Sequence, residues 1–408
     1  MAPETSESVE ITARCLCGAH SFTTSVPRSD LPLKASACHC TSCRHTTGAL
    51  HTTDAPWPGP ADAIRRSTTL SRYVFGARVH VLFCGTCSTP LFFEEFRAGP
   101  GEPGELGVFT GALGNNALGG DDGKRLVSVV DHIFVGDTID GGASVWLRET
   151  GDGAAGRATR WFGGRGEGEE VPEAWPPVSS LPGADVRSEV ADVPVRCRCR
   201  GVDLVFRHGE HLAEFEGMSR AELPWFVDPV THKTFAGFEG CDSCRLSLGA
   251  DVIHWTFVML RHLAFSEGTG RQDLPAFPRT AADLNAAVSA QNRDPRLGTL
   301  SLYASSPDVQ RYFCSRCSAT VFYACDDRQD YVDVAIGLLD APDGARAESI
   351  LSWSFGSTPS WLQDVAGGWR DGLFTDIVKE AEKWRVERGY PKNWRRVELE
   401  EAEKKTEK

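Results

Sequence analysis

Short apolar runs separated by turn residues dominate most of the chain. Residues 73–75, 79–83, 127–130 and 331–336 are rich in β-branched and aromatic side chains, with glycine, proline or aspartate between the runs. Runs of this kind favour β-strands, and apolar positions at helical spacing are scarce before the C-terminal region. The pattern therefore predicts a mainly β protein.

The C-terminal region follows a different pattern. Apolar side chains recur there at helical spacing, at Phe374, Ile377, Val378, Ala381 and Trp384. Gly389 and Pro391 mark the end of this pattern. It predicts one amphipathic helix that packs back on the preceding domain, followed by a solvated Glu-Lys tail. Another helix is predicted over residues 280–291.

Seven cysteines lie within 73 residues near the start of the chain. They form two outer pairs and a central trio: Cys15 and Cys17, Cys84 and Cys87, and Cys38, Cys40 and Cys43. Thiolates are ligands that zinc accepts, and one pair from each end would close a four-sulfur site. The trio could hold a second zinc whose fourth position is free, as in a catalytic site. Iron is an alternative metal for the four-sulfur sites.

The cysteine pattern occurs a second time. Residues 82–93 resemble residues 312–323, and a Gly-Ala pair that begins at Gly48 or Gly249 follows each central motif. The equivalent cysteines are Cys197, Cys199, Cys241, Cys244, Cys314 and Cys317. This repeat predicts a tandem duplication. The predicted units are a first zinc domain at 8–150, a linker at 151–190, a second zinc domain at 191–365, and a C-terminal helix and charged tail at 366–408.

Composition narrows the class of protein. The 408 residues carry a formal net charge of -13, which disfavours binding to nucleic acid or to an anionic membrane. The first ten residues lack the pattern of a secretory signal, so we expect a cytoplasmic protein. In a reducing compartment, clustered CxC and CxxC pairs indicate metal rather than a disulfide framework. A redox role for a CxxC pair is the alternative. We expect two small antiparallel β domains, each held together by zinc.

The order of the motifs resembles a known family. CxCG at Cys15, CHCxxCR at Cys38 and FCxxC at Cys84 are similar to the glutathione-dependent formaldehyde-activating enzyme family, also called the centromere-protein-V/GFA domain. The resemblance implies a β-tent fold. It also implies structural zinc on Cys15, Cys17, Cys84 and Cys87, and catalytic zinc on Cys38, Cys40 and Cys43. The activity it implies is a carbon–sulfur lyase that joins glutathione to formaldehyde as S-hydroxymethylglutathione, or that acts on a related thiol adduct.

The chain departs from the family pattern at several positions. Ser88 and Ser318 replace a glycine that usually follows the second CxxC, so we expect a different loop backbone there. In the second copy Glu239 stands where the first copy has Cys38. We expect this copy to have lost its catalytic zinc and to have kept the structural one. A site made of Glu239, Cys241 and Cys244 is the alternative.

The second copy is also longer between its cysteines. Its inserts hold aromatic and proline clusters at residues 223–226 and 274–278. They are interpreted as a lid, as a contact with the first copy, or as surface elaboration.

Individual side chains near the cysteines allow more than one interpretation. We interpret His39 as a metal ligand, as a hydrogen-bond donor to a ligand or as a surface residue. His45 is interpreted as a fourth metal ligand or as a general base. Arg44 and Arg245 neutralise thiolate or substrate charge, or lie on the surface. Cys325 is a buried free thiol or a replacement ligand for the second copy. His132 and Trp146 are predicted to be strand and core residues.

Three functions follow from the sequence. The first is a zinc lyase acting on a thiol adduct of a small electrophile, with glutathione as the candidate partner. An open zinc position favours such a soft ligand and positions the thiolate beside a carbonyl. The second is a zinc enzyme of specialised metabolism, an isomerase or hydrolase, that acts on a larger carbonyl substrate. The third is a non-catalytic zinc scaffold for a protein partner.

Overall fold

The computed structural model describes residues 7–96, 104–118, 125–148, 157–187, 189–266 and 275–406. Within these ranges the chain forms twenty β-strands and seven α-helices. The prediction of a mainly β protein is therefore confirmed. The predicted boundary between the first domain and the linker, at residues 150 and 151, lies outside the described residues, as does Leu274 of the second insert.

The first part of the chain builds one large sheet and a hairpin. Its strands are β1 Ser8–Arg14, β2 Ser21–Pro27, β3 Leu33–Cys38, β4 Thr52–Pro56, β5 Leu70–Gly76, β6 Val79–Cys84, β7 Pro90–Glu95, β8 Glu105–Phe109, β9 Val127–Ile133 and β10 Thr159–Arg160. Its helices are α1 Thr41–Thr47 and α2 Asp62–Arg65. Strands β1 and β2 form the hairpin, and the sheet has the order β10-β9-β3-β4-β8-β7-β6-β5.

The second part builds another large sheet and a small one. Its strands are β11 Val193–Arg196, β12 Asp203–Phe206, β13 Thr234–Glu239, β14 Ile253–Met259, β15 Leu263–Phe265, β16 Leu300–Ser306, β17 Val309–Cys314, β18 Thr320–Cys325, β19 Tyr331–Ala335 and β20 Leu351–Trp353. Its helices are α3 His208–Phe215, α4 Asp242–Leu248 and α5 Ala281–Ser289, followed by α6 Trp369–Glu387 and α7 Trp394–Thr406. The large sheet has the order β16-β17-β18-β19-β14-β13-β20.

The two large sheets have the same strand order. Read from β5 to β9, the first sheet matches the second read from β16 to β20, strand for strand. The expected antiparallel pairing is wrong at one end of each sheet, because β3 pairs with β9 and β13 pairs with β20 in parallel. Strand β10, from the predicted linker, also pairs with β9 in parallel.

Strand β3 shows how the sequence assigns the two faces of the first sheet. Ala35 and Ala37 are fully buried against the core, and the alternate residues Ser36 and Cys38 point to the other face. Thr52 and Asp54 of β4 lie opposite Cys38 and Ser36, so they share that face. We call it the open face, because Ser36 and Asp54 are partly exposed there.

We call strands β1–β10 with helices α1 and α2 the first unit, and strands β11–β20 with helices α3–α5 the second unit. The two units contact each other through equivalent elements. Helix α1 ends at Gly48 and helix α4 ends at Gly249, both in the left-handed region. A Cβ on Gly48 would lie 2.3 Å from the Thr320 carbonyl oxygen, and one on Gly249 would lie 2.5 Å from Pro90 Cγ. Thr320 and Pro90 begin the equivalent strands β18 and β7, so the contact is reciprocal, as in a two-fold interface. One hydrophobic cluster accordingly contains core residues of both units.

The C-terminal helix packs back as predicted. The Arg370 side chain in α6 is fully buried, and it donates to Asp251 of the second unit and to the Thr110 carbonyl of the first. Residues Trp394–Thr406 form a further helix, α7, which the sequence did not predict, and Glu401, Lys404 and Lys405 near its end are exposed, as expected for a solvated Glu-Lys run. Ion pairs from Arg396 to Glu400 and from Arg220 to Glu398 stabilise that helix.

The insert after Cys199 covers the second sheet. Phe215, Leu223, Phe226 and Val227 form a separate apolar cluster with Met259 of β14. Trp225 Nε1 donates to the Tyr331 hydroxyl at 3.2 Å. The insert therefore covers the face of the second sheet that is equivalent to the open face of the first.

Candidate metal centres and active site

Two groups of four cysteines converge as the sequence predicts. Cys15, Cys17, Cys84 and Cys87 form one group and Cys197, Cys199, Cys314 and Cys317 the other, with all sulfurs of a group within 4.8 Å of one another. In each, a CxC hook after a hairpin strand meets a CxxC turn between two strands of the large sheet. The fourteen cysteines are all free thiols, so the CxxC pairs form no disulfides.

The sulfur spacing in these groups fits a tetrahedral ion. Four sulfurs at ~2.3 Å from zinc are about 3.8 Å apart. The Cys17 Sγ lies 3.5 Å from the sulfurs of both Cys15 and Cys84, and the Cys199 Sγ lies 3.4 Å from that of Cys314. Backbone amides of His20 and Val202 donate to Cys15 and Cys197 at 3.2 Å, which stabilises thiolate charge.

The CxxC turns keep the backbone that glycine would favour. Ser88 and Ser318 have φ angles of 61° and 68°, in the left-handed region. We expected the backbone at these serines to differ from that of a glycine, and for the φ angle this expectation is wrong. Each serine amide donates to the carbonyl of the first cysteine of its turn, Cys84 or Cys314.

The third group is the trio Cys38, Cys40 and Cys43. Cys38 ends β3, Cys40 caps α1 and Cys43 lies in its first turn, and their sulfurs are all within 4.8 Å of one another. The Cys43 amide donates to the Cys40 sulfur at 3.3 Å. Hydrogen bonds with Cys38 and Cys43 lower the pKa of Cys40 to about 3, so this sulfur is a thiolate at neutral pH.

The trio has three candidate ligands and not four. Among the described residues no histidine or carboxylate joins these sulfurs within 4.8 Å. Its donor set is therefore soft, compact and incomplete for a tetrahedral ion, which is the arrangement of a site with room for a substrate atom.

Neither nearby histidine joins the trio. His39 points to the core face, where its Nε2 lies 3.0 Å from His132 Nδ1, and His132 Nε2 lies 3.0 Å from the Leu147 carbonyl. Its interpretation as a ligand or surface residue is wrong, because the side chain is fully buried on that face. His45 is buried where its carbonyl accepts from the Arg198 amide of the second unit. Burial lowers its pKa to about 4, and it is not a fourth ligand.

The two arginines after the central motifs are not on the surface. The Arg44 side chain is buried, and Nη2 donates to Thr41 at 3.3 Å. Burial lowers the pKa of Arg44, and charges at Asp140 and Cys40 oppose this effect. Arg245 instead binds Asp242 and the Leu113 carbonyl of the first unit, so it joins the two units.

Two other predicted assignments agree with the positions found. Trp146 is 1% exposed and packs on Phe238 and Trp353, as a core residue does. Cys325 is buried, with its thiol donating to Asp327 and accepting from Arg328 Nε at 2.9 Å. It is a free thiol and does not join the Glu239 group.

Asp54, which no sequence motif indicated, lies beside the trio on the open face. Asp54 pairs with Ser36 across β3 and β4, and the next same-face pair is Cys38 with Thr52. The Thr52 hydroxyl hydrogen-bonds Cys43. Burial raises the pKa of Asp54 to about 7, and the charge of Asp131 adds to this effect while that of Arg165 opposes it. Asp54 has no motif around it, and only strand alternation from Cys38 could have indicated its face.

The predicted linker contributes to this face. Residues 159–163 form backbone hydrogen bonds with β9 and with the residues that follow it. Gly164 and Arg165 come next, and the Arg165 side chain lies over the open face. There the guanidinium pairs with Asp131 at 2.5 Å and donates to Ser36. Within the linker itself, Phe162 packs on Trp175 in an edge contact.

The fold and the sites define a mainly β protein with cysteine groups that could hold metal ions. Residues 10–125 match the family model described as glutathione-dependent formaldehyde-activating enzyme. The resemblance is thereby confirmed for the region that holds the first four-sulfur group, the trio and Asp54. No curated protein and no solved structure matches the chain. Among the described residues no helix is both long and apolar enough to cross a bilayer.

Proposed function

We propose that the first unit is a metal-dependent carbon–sulfur lyase that forms or cleaves the adduct of a thiol with a small carbonyl compound. Glutathione and formaldehyde are the first pair to test. The observation that carries the proposal is the convergence of Cys38, Cys40 and Cys43 without a fourth ligand from the described residues, inside the stretch that matches the family. Zinc is the proposed metal.

The donor set fits this role. Cys38, Cys40 and Cys43 would hold the zinc, and the two four-sulfur groups would hold structural ions. When bound, zinc would supply a Lewis acid with one free position for a soft substrate atom. The guanidinium of Arg44, a buried residue of α1, offsets part of the negative charge of the thiolates.

Asp54 is the proposed proton carrier. When a thiol adds to a carbonyl, a carbon–sulfur bond forms, the sulfur loses a proton and the carbonyl oxygen gains one. A carboxyl with a pKa of about 7 can accept the first proton and return it to the oxygen at neutral pH. Asp54 lies one same-face position from Thr52, which is roughly 7 Å along a strand. That distance leaves room for the few reacting atoms between the carboxyl and the sulfurs.

The substrate's charged groups would bind at the rim of the open face. The Arg165 guanidinium is 61% exposed beside Asp131, and Lys34 is exposed on the same face of β3 as Ser36. Glutathione carries two carboxylates, and an arginine and a lysine at a rim suit such groups. We assign Arg165 and Lys34 to substrate binding and not to the chemical step.

One observation favours a larger carbonyl substrate as a second candidate. Phe93 and Phe109 also lie on the open face, with ring centroids 6.3 Å apart in an edge contact. Aromatic surface of this kind suits an apolar substituent that formaldehyde lacks. Turnover with a series of aldehydes of increasing size distinguishes the two candidates, because only the larger-substrate enzyme gains catalytic efficiency with apolar size.

The direct test measures exchange between glutathione and isotopically labelled formaldehyde by NMR. The wild-type protein should accelerate formation of the hydroxymethyl adduct above the uncatalysed rate, and Cys40→Ser should remove that acceleration. Cys241→Ser is the matched control, because Cys241 occupies the N-cap position of α4 as Cys40 occupies that of α1. An unchanged rate in the Cys40→Ser protein would reject the assignment of the site.

A further inference from the structure

The second three-ligand group contains a cation supplied by the protein. Glu239, Cys241 and Cys244 have their ligand atoms within 4.8 Å of one another. Arg311 Nη1 donates to the Cys244 sulfur at 3.4 Å, and the arginine is only 6% exposed. Its Nε donates to Ser305 at 3.1 Å, which fixes the guanidinium. A sulfur that would face a metal ion therefore already accepts a hydrogen bond from a fixed positive charge.

Arg311 stands where the first unit has Val81. In the second sheet Arg311 pairs with Tyr303 on one side and Tyr323 on the other. In the first sheet Val81 of β6 pairs with Tyr73 and Phe93, which are equivalent to Tyr303 and Tyr323. The same register position thus holds a neutral side chain in the first unit and, in the second unit, a cation that contacts the Glu239 group.

A second cation and a carboxylate lie close to Arg311. The Tyr323 ring contacts two guanidinium groups, those of Arg311 and Arg328, at 5.1 and 5.2 Å from its centroid. Arg328 Nη1 pairs with Asp333 at 2.9 Å. Asp333 occupies the register position of Gly107 in the first sheet, so this ion pair is also absent from the first unit. The second unit has replaced a neutral row by a charged one.

We infer that the Glu239 group is a metal-free centre in which the Arg311 guanidinium takes the place of the metal ion. A divalent cation bound to Cys244 would lie beside a buried positive charge, where poor screening makes the repulsion strong. The carboxylate of Glu239 is also a harder ligand than the thiolate that the first unit has at Cys38. With the other three groups loaded as proposed above, the described residues would hold three metal ions and not four. This inference is independent of the reaction proposed for the first unit.

The absence of a metal leaves Cys241 open to modification. Cys241 is partly exposed, whereas Cys244 is buried behind it. A thiol that is not metal-bound reacts with alkylating reagents whether or not a chelator is present. The equivalent Cys40 should react only after its metal has been removed. The two cap cysteines therefore give opposite responses in one sample.

Metal analysis of purified, folded protein tests the inference. Wild-type protein and the double variant Cys241→Ser/Cys244→Ser should both contain three zinc ions per chain. The double variant Glu239→Cys/Arg311→Val should contain four, because it recreates the trio and its neutral neighbour. The reciprocal variant Val81→Arg should contain two. Four ions in the wild type, or one ion fewer in Cys241→Ser/Cys244→Ser, would overturn the inference, as would three ions in a folded Glu239→Cys/Arg311→Val protein.

Differential alkylation of the unmodified chain tests the same inference without any variant. Metal-loaded wild-type protein is treated with iodoacetamide before and after a zinc chelator, and the labelled peptides are measured by mass spectrometry. Label on Cys241 before chelation, together with label on Cys40 only after it, is the expected result. Protection of Cys241 that the chelator releases would show a bound metal and reject the inference.

Discussion

The Gly337 amide donates to the Gly48 carbonyl at 2.9 Å, and this bond joins the second unit to the end of helix α1. The same helix carries Cys43 of the trio, so the junction between the units also positions one of the three sulfurs. The trio is therefore built from the first unit and braced by the second.

Gly48→Ala should destabilise the whole chain. Gly48 has a φ of 86°, and an added Cβ would lie 2.3 Å from the Thr320 carbonyl oxygen. Left-handed strain and the displaced contact together should lower the free energy of unfolding by about 2–4 kcal/mol. Urea denaturation followed by circular dichroism measures this change. Gly76→Ala is the control, because an added Cβ there meets open space and its φ is ordinary. Equal stability of the two variants would contradict the close packing of the units.

Removing a ligand of a four-sulfur group should cost one metal ion and much stability. Binding of structural zinc contributes on the order of 10 kcal/mol to the folding of small zinc peptides, so Cys84→Ser should unfold at a much lower temperature. Cys325→Ser is the matched control, because this buried thiol lies outside every candidate group. Metal content and melting temperature are measured on both proteins. A Cys84→Ser protein with full metal content would reject the first structural site.

Arg370→Leu should separate the C-terminal helix from the two units. It would leave the Asp251 carboxylate buried without its partner, which costs about 3–5 kcal/mol when one member of a buried pair is removed. Arg395→Leu should cost at most about 1 kcal/mol, because the ion pair of Arg395 with Glu398 is solvent-exposed. Chemical denaturation compares the two variants. A small effect at Arg370 would show that α6 is not needed for the junction.

Asp54→Asn should change the pH dependence of both stability and turnover. Because burial raises the folded pKa of Asp54 to about 7, the protonated carboxyl favours folding at low pH, and this contribution is lost as the pH rises through 7. The variant should therefore gain stability relative to the wild type at pH 8, and not at pH 4. Turnover should fall by about 10²–10⁴-fold at neutral pH and lose its rise near pH 7. Asp30→Asn, at an exposed carboxylate, is the control for both measurements. An unchanged pH profile of turnover in Asp54→Asn would remove Asp54 from the mechanism.

Local patterns in the sequence predicted the strands and the cysteine groups. The run at residues 79–83 lies in β6, and the run at 331–336 coincides with β19 except for Ile336, because side-chain alternation is a local property. CxC and CxxC spacing likewise fixes which sulfurs can converge. The sequence shows the Gly-Ala pairs at Gly48 and Gly249. It does not show that these glycines allow the close contact between the two units, because that contact joins distant parts of the chain.

The remaining features depend on register and long-range packing. Asp54 lies beside the trio because it pairs with Ser36 across two strands. Arg311 contacts the sulfur of Cys244, which is 67 positions away in the chain. Parallel strands β9 and β20 return after long connections that no local pattern specifies. Helix α7 was missed because its charges predict solvation, whereas ion pairs with other elements fix it. Aligning the two units would show Arg311 at the position that Val81 has in the first unit.

Comparing Cys40→Ser with Cys241→Ser tests the central claim most directly. Each variant is measured for zinc per chain and for the rate of adduct formation from glutathione and labelled formaldehyde. The account predicts that Cys40→Ser loses one zinc ion and its catalytic rate, whereas Cys241→Ser keeps both at the wild-type level. Full zinc content and full rate in Cys40→Ser would contradict it.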